Sequence, residues 1–176
     1  MQNLSEKQRL EQLIRVNQAG EYGAKRIYQG QLAVLGNTDV APTLKHMELQ
    51  EKAHLEVFNK LIVEHSVRPT ALHPLWHVAG FALGAGTALL GKRAAMACTI
   101  AVEEVIEEHY AEQISDLEKN DPTSPLIPTL QKFRAEELEH KDTAEAQEGK
   151  KAPFYPLLRQ GIRVGSKMAI FLAKRV

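Results

Sequence analysis

The chain has 176 residues, 44% of them hydrophobic, with 22 Lys+Arg against 22 Asp+Glu. This length and apolar share suit a single domain with its own core and exclude a disordered chain. The formal charge of zero argues against nucleic acid as a partner, because phosphate binding needs a net basic face. The one cysteine, Cys98, lies in the apolar run Ala94-Ala95-Met96-Ala97-Cys98 and reads as a small core residue. A lone cysteine forms no internal disulfide, so nothing points to an oxidising compartment. Residues 1–7 show neither an apolar signal segment nor an acid-free transit stretch. A bacterial-type cytoplasm is therefore expected, or a targeting segment outside this sequence.

Glu, Gln, Ala, Leu and Lys dominate, and strand signals are weak, so the chain reads as all-α. Prolines at 42, at 69 and 74, at 122, 125 and 128, and at 153 and 156 mark the junctions. A first helix is predicted over about 4–35, with Leu10, Leu13, Ile14, Ile27, Leu32 and Leu35 in helical period. Gly36-Asn37-Thr38-Asp39 stops it. A second helix is predicted over 41–65. A long third segment covers 75–120, broken near 84–91. A fourth helix covers 125–149 and a fifth 154–174. Four main helices joined by short loops read as a bundle.

Two Glu-x-x-His pairs stand out, Glu51 with His54 and Glu137 with His140. Residues three apart share a helix face, so each pair can reach one ion. By themselves such pairs occur near chance. Their spacing to upstream glutamates strengthens them: Glu21 precedes the first pair by about 30 residues and Glu103 precedes the second by about 34. A bundle di-iron site needs one Glu from each of two helices and Glu-x-x-His from each of the other two. Four carboxylates neutralise two ferrous ions, and each imidazole adds one softer ligand. By analogy with such sites, Glu51 and Glu137 take bridging positions, and Glu21 and Glu103 terminal ones.

Glu21 sits in Ala19-Gly20-Glu21-Tyr22-Gly23-Ala24, where small neighbours predict a tight interior. Glu103 competes with Glu104, Glu107 and Glu108. Tyr110 is two turns beyond Glu103 and could face the cavity, while His109 reads as a flanking or surface group. Tyr22 and Tyr28 are expected to pack in the core. His46, His65, His73 and His77 have no carboxylate at ligand spacing and read as surface or interface residues.

Residues 69–91 contain no Asp, Glu, Lys or Arg. Lys92-Arg93 ends the run too early for a spanning helix, so it reads as interfacial or packed on another chain. Gly80 and Gly84 form a small-x-x-x-small pair that permits close helix contact. The last helix repeats Arg159, Arg163 and Lys167 every fourth residue beside Leu158, Ile162, Met168, Phe171 and Leu172. Such a helix can lie in a bilayer interface.

The segments Gln18-Ala-Gly-Glu-Tyr-Gly-Ala24, Glu51-Lys-Ala-His54, Phe81-Ala-Leu-Gly-Ala-Gly-Thr-Ala-Leu-Leu-Gly91, Val102-Glu-Glu104 and Phe133-Arg-Ala-Glu-Glu-Leu-Glu-His140 resemble the demethoxyubiquinone hydroxylase family. The resemblance covers nearly the whole chain. It implies a single ferritin-like domain with additional membrane-associating helices, and two iron ions held by Glu21, Glu51, His54, Glu103, Glu137 and His140. It also implies O₂-dependent hydroxylation of a demethoxyquinone or demethoxyquinol ring, with an external reductant such as NADH. The family's His-Tyr pair matches at His109-Tyr110, after a more acidic Glu107-Glu108 than its pattern. The implied location is peripheral, on the cytoplasmic side of a plasma membrane or the matrix side of the mitochondrial inner membrane. A homo-oligomer, or a complex with other ubiquinone-biosynthesis proteins, is expected. Two rivals follow from the residues alone. One is a ferritin- or rubrerythrin-like ferroxidase, the other a metal-free helical scaffold on a membrane.

Overall fold

The computed structural model describes residues 5–176. Its elements are α1 (Glu6–Leu35), α2 (Ala41–Glu64), α3 (His73–Leu89), α4 (Lys92–Asn120), α5 (Leu126–Ala146), a 3₁₀ turn (Gly149–Lys151) and α6 (Tyr155–Ala173). There is no strand among the described residues. The chain is all-α and of the ferritin-like helical class, as expected. The expected start of α1 at Leu4 lies outside the described residues. The predicted break in the long third segment is real, and it falls at the far end of the expected 84–91 stretch, between Leu89 and Lys92. Gly91 makes that break with φ +102°, a conformation that a side chain disfavours.

Local sequence explains the ends. Ser5 Oγ accepts from the Gln8 amide at 3.2 Å, and Gln8 Oε1 accepts from the Ser5 amide at 2.9 Å. This reciprocal box satisfies two amide donors at the start of α1. Pro42, Pro74, Pro128 and Pro156 all fall in the first turn of their helices, where the missing N–H costs little.

The helices form two compact units. One takes in the chain up to Gly86 together with Met168–Val176, and the other is Thr87–Lys167. In the first unit α1 and α2 run antiparallel. Gln29 Nε2 donates to Glu48 and Gln18 Nε2 donates to Asn59, so the pairings step in opposite directions. Helix α3 instead runs parallel to α1, because Gln18 meets His73, Tyr22 meets His77 and Ile27 meets Gly84. Val16 and Ala19 pack with Ala173, Trp76 and Ile170.

The second unit repeats this plan. Helices α4 and α5 are antiparallel: Arg93 meets Glu148, and Arg134 Nε donates to Glu107 at 2.7 Å. Helix α6 runs parallel to α4, with Arg159 on Glu104 and Lys167 on Glu108. Cys98 is fully buried, as expected, and burial pushes its thiol up to about 12.

The glycine pair predicted for close contact does make it. A Cβ at Gly84 would collide with the Ile27 carbonyl, and one at Gly80 would sit 2.9 Å from the Gly23 carbonyl. Both obstacles are backbone atoms that cannot rotate away. Gly84→Ala should therefore force α3 off α1 and destabilise the protein by about 1–3 kcal/mol in urea unfolding. Gly86→Ala, where a Cβ meets nothing within 4 Å, should be neutral.

The basic residues of the terminal helix engage α4. This basic stripe faces the protein: Arg159, Arg163 and Lys167 bind Glu104 and Glu108 of α4. The stripe at Leu157, Val164, Met168 and Phe171 is exposed. An ordinary surface helix buries its apolar face and solvates its charges. Here the two acidic residues of α4 draw the cations inward; Ile162 is buried too and Leu158 and Leu172 are half-buried, so only one apolar stripe of α6 is left outside.

Those ion pairs set a pH dependence. The Arg163 guanidinium holds the Glu108 carboxyl below its ordinary value of 4.5, although partial burial opposes this. A carboxyl depressed on folding stabilises fully above its unfolded value. That contribution disappears as pH falls through the folded value. The protection factors of α6 amides, corrected for intrinsic exchange, should be unchanged from pH 8 to 6 and should fall below about pH 4.5. In Glu108→Gln the acid dependence should be reduced.

Candidate metal centre

All six residues singled out by spacing are buried, each exposed by 1% or less. In the first unit, α1 supplies Glu21 and α2 supplies Glu51 and His54. Their ligand atoms lie within 4.8 Å of one another. His54 Nδ1 is 3.2 Å from Glu21 Oε2. In the second unit, α4 supplies Glu103 and α5 supplies Glu137 and His140. Their ligand atoms also lie within 4.8 Å of one another. His140 Nδ1 is 3.3 Å from Glu137 Oε2 and 3.8 Å from Glu103 Oε1. Each unit thus carries one triad of two carboxylates and one imidazole, with Nδ1 turned toward the carboxylates.

This donor set suits a divalent metal. Two carboxylates buried side by side are costly as bare anions, since desolvation and mutual repulsion both oppose ionisation. One divalent cation per triad neutralises that charge, and carboxylate with imidazole suits iron.

The acidic competitors of Glu103 have other partners. Glu104 accepts from Arg159 and Arg163, Glu107 accepts from Arg134, and Glu108 accepts from Arg163. Glu103 is the member of this group that meets His140. The burial of Glu21 agrees with expectation, but crowding at its flanking glycines is not the cause. A Cβ at Gly20 or Gly23 would meet nothing within 4 Å.

Tyr110 is buried, with its ring edge-on to Phe133 at 6.4 Å. His109 is half-buried, and its Nε2 accepts from Gln113 Nε2 at 2.9 Å. Tyr28 is buried as expected, whereas Tyr22 is only half-buried and does not pack as a core residue. Its hydroxyl and His77 Nδ1 share a hydrogen bond of 2.6 Å, and its ring centroid lies 4.2 Å from that of His73. His73 and His77 were expected at a surface or interface. His77 is exposed, and both histidines hold Tyr22. The spacing of four in each helix, Gln18 and Tyr22 on α1 with His73 and His77 on α3, was the available sequence signal.

Two helix pairs, each with a buried Glu and a Glu-x-x-His, define an all-α protein whose buried carboxylates and imidazoles fit a di-iron carboxylate site. Comparison with known families makes this specific. The model of the family described as "Ubiquinone biosynthesis protein COQ7" matches residues 8–173, and the chain belongs to that family. It is 53% identical over 168 residues to the 3-demethoxyubiquinol 3-hydroxylase of Rhodospirillum rubrum, covering 95% of this chain and 78% of that protein. It is 54% identical over 168 residues to the mouse "NADPH-dependent 3-demethoxyubiquinone 3-hydroxylase, mitochondrial", covering 94% and 77%. With the Saccharomyces cerevisiae "5-demethoxyubiquinone hydroxylase, mitochondrial" it shares 44% identity over 192 residues, covering 99% and 82%.

Proposed function

We propose that the protein is a di-iron monooxygenase that hydroxylates the ring of a demethoxyubiquinone or demethoxyubiquinol in ubiquinone biosynthesis. The observation that carries this is the pair of buried Glu, Glu-x-x-His triads in a chain of this family. Glu21, Glu51 and His54, with Glu103, Glu137 and His140, hold two irons in a single domain that spans the chain. Glu51 and Glu137 would be shared between the irons, and Glu21 and Glu103 would each serve one. Bound there, the irons would supply O₂ activation for a hydroxylation in which one oxygen atom enters the ring and the other leaves as water, with two electrons and two protons supplied from outside.

The protein's own residues bind, orient and exclude water. Near-complete burial of all six donors keeps bulk water from the reacting centre. His54 and His140 present Nδ1 toward the carboxylates; to hold a metal through that nitrogen each ring would be neutral, with its proton on Nε2. Tyr110 and His109 stand on α4 one to two turns beyond Glu103, where they flank the centre. The donor of electrons is a reduced pyridine nucleotide such as NADH, consistent with the NADPH dependence in the mouse relative's name.

The exposed apolar faces of α3 and α6 support attachment to a membrane surface, where the prenylated substrate is held. No helix among the described residues is long and apolar enough to cross a membrane. In this reading the attachment is peripheral, on the cytoplasmic face of a bacterial inner membrane or the matrix face of a mitochondrial one. Assembly with a second copy or with other proteins of the pathway is part of this reading.

Anaerobic loading with ferrous iron, followed by a demethoxyquinol, a reductant and O₂, tests the function. Two irons per chain and a hydroxylated product are expected. Iron uptake far above two per chain without product would favour the ferroxidase rival.

A further inference from the structure

Two contacts recur in the two units, and the metal chemistry does not itself require them. The residue after Glu21 is Tyr22, tied through its hydroxyl to His77 of α3. The residue after Glu103 is Glu104, which accepts from Arg159 Nε and from Arg163 Nη1 of α6, each at 2.8 Å. In both units the first partner lies 55 residues downstream. In both it belongs to a helix that runs parallel to the ligand helix and exposes apolar side chains, Leu75 and Val78 on α3, Leu157 and Val164 on α6. The chemistry of the two ties differs, a phenol–imidazole bond in one and an ion pair in the other. The position is the same.

Geometry gives the position a consequence. Successive side chains leave a helix about 100° apart. A tie at the residue after the glutamate therefore fixes the rotation that aims the glutamate itself. A carboxylate lies roughly 6 Å from its helix axis, so a 20° rotation moves it about 2 Å. Metal–ligand distances tolerate only about 0.2 Å. A Cβ at Gly20 or Gly23 would meet nothing within 4 Å, and the closest backbone contacts of α1 with α3 lie further along the helix, at Ile27 and Gly30.

We propose that Tyr22 and Glu104 are equivalent positioning residues. Each locks its ligand helix to the apolar helix of its own unit and so holds the preceding glutamate on its iron. This inference rests on the di-iron reading.

The test uses the full chain loaded anaerobically with ⁵⁷Fe²⁺. It reads the Mössbauer doublets and the rate of iron loss to a ferrous chelator. Tyr22→Phe removes only the hydroxyl, and Glu104→Gln is isosteric. Glu108→Gln breaks ion pairs of the same kind, to Arg163 and Lys167, but adjoins no proposed ligand. Tyr22→Phe and Glu104→Gln should each alter one of the two doublets and speed iron loss about tenfold. Glu108→Gln should leave both doublets unchanged. His77→Ala and Arg159→Gln, which alter the partners, should reproduce the two effects and serve if either first variant fails to fold. Unchanged doublets in all four tie-breaking variants, from a parent that holds two irons, would overturn the proposal. So would equal changes in Glu104→Gln and Glu108→Gln. A parent that takes up no iron would overturn the di-iron reading, and this one with it.

Discussion

Glu137→Ala should leave a folded protein that neither retains iron nor hydroxylates its substrate. Glu137 is completely buried on α5, one turn from His140, and its Oε2 faces Nδ1 of that histidine. In the bridging role proposed for it, its loss removes a donor from both irons at once. Losing a group that merely supports a ligand costs about 10–100-fold in metal affinity or activity, so losing a bridging ligand should cost at least about 100-fold. Linkage provides a readout that does not depend on turnover. A ligand at a thousand times its dissociation constant stabilises the native state by about 4 kcal/mol. Ferrous iron should therefore raise the melting temperature of the parent and leave that of Glu137→Ala where it was. Glu139→Ala, exposed on the same helix, should behave as the parent. Iron retention and turnover in Glu137→Ala equal to the parent would exclude the assignment.

Exchange of Phe154 and Leu157 for serine should detach the protein from lipid vesicles while leaving iron binding intact. Phe154 is 82% exposed and Leu157 is 74% exposed, at the start of α6. Water excludes such side chains at about 1.5–3 kcal/mol each when they become fully buried. Seating both in a bilayer interface at even half that value gives about 1.5–3 kcal/mol, or a change in partition of roughly 10- to 150-fold. The cations of α6 should contribute less than composition suggests. Arg159, Arg163 and Lys167 are occupied by Glu104 and Glu108, so their field at the lipid surface is largely cancelled. Sedimentation with vesicles of neutral phosphatidylcholine checks both points. Binding that survives the serine exchange would place the lipid contact elsewhere, with Leu89 and Leu90 beside Gly91 as the next residues to change.

The six buried donors were legible in the sequence for a definite physical reason. A ligand pair on one helix must keep the three-residue spacing, and helices of similar length must keep similar intervals between pairs. Glu51 with His54, and Glu137 with His140, carry the first constraint. Glu21 and Glu103 carry the second. The helix limits were legible because proline and glycine act locally, through a missing donor or a permitted φ. Pro42 opens α2, and Gly91 separates α3 from α4.

What the sequence left open concerned direction around a helix axis. Glu103, Glu104, Glu107 and Glu108 are chemically alike and all fall on one helix. Only packing shows that three of them meet arginines while Glu103 meets His140. The same applies to α6. Its alternation of basic and apolar residues is equally compatible with either face turned inward. The acidic residues that decide the matter lie 55 residues upstream. Tyr22 looked like core and is instead joined to a histidine 55 residues away.

The sequence by itself determined the helical class, the junctions and which carboxylates and histidines are candidates for a metal, because these follow from local propensity and from spacing within one helix. The tertiary structure alone decided which of four neighbouring glutamates turns inward and which way α6 faces, because those choices depend on partners distant in the chain.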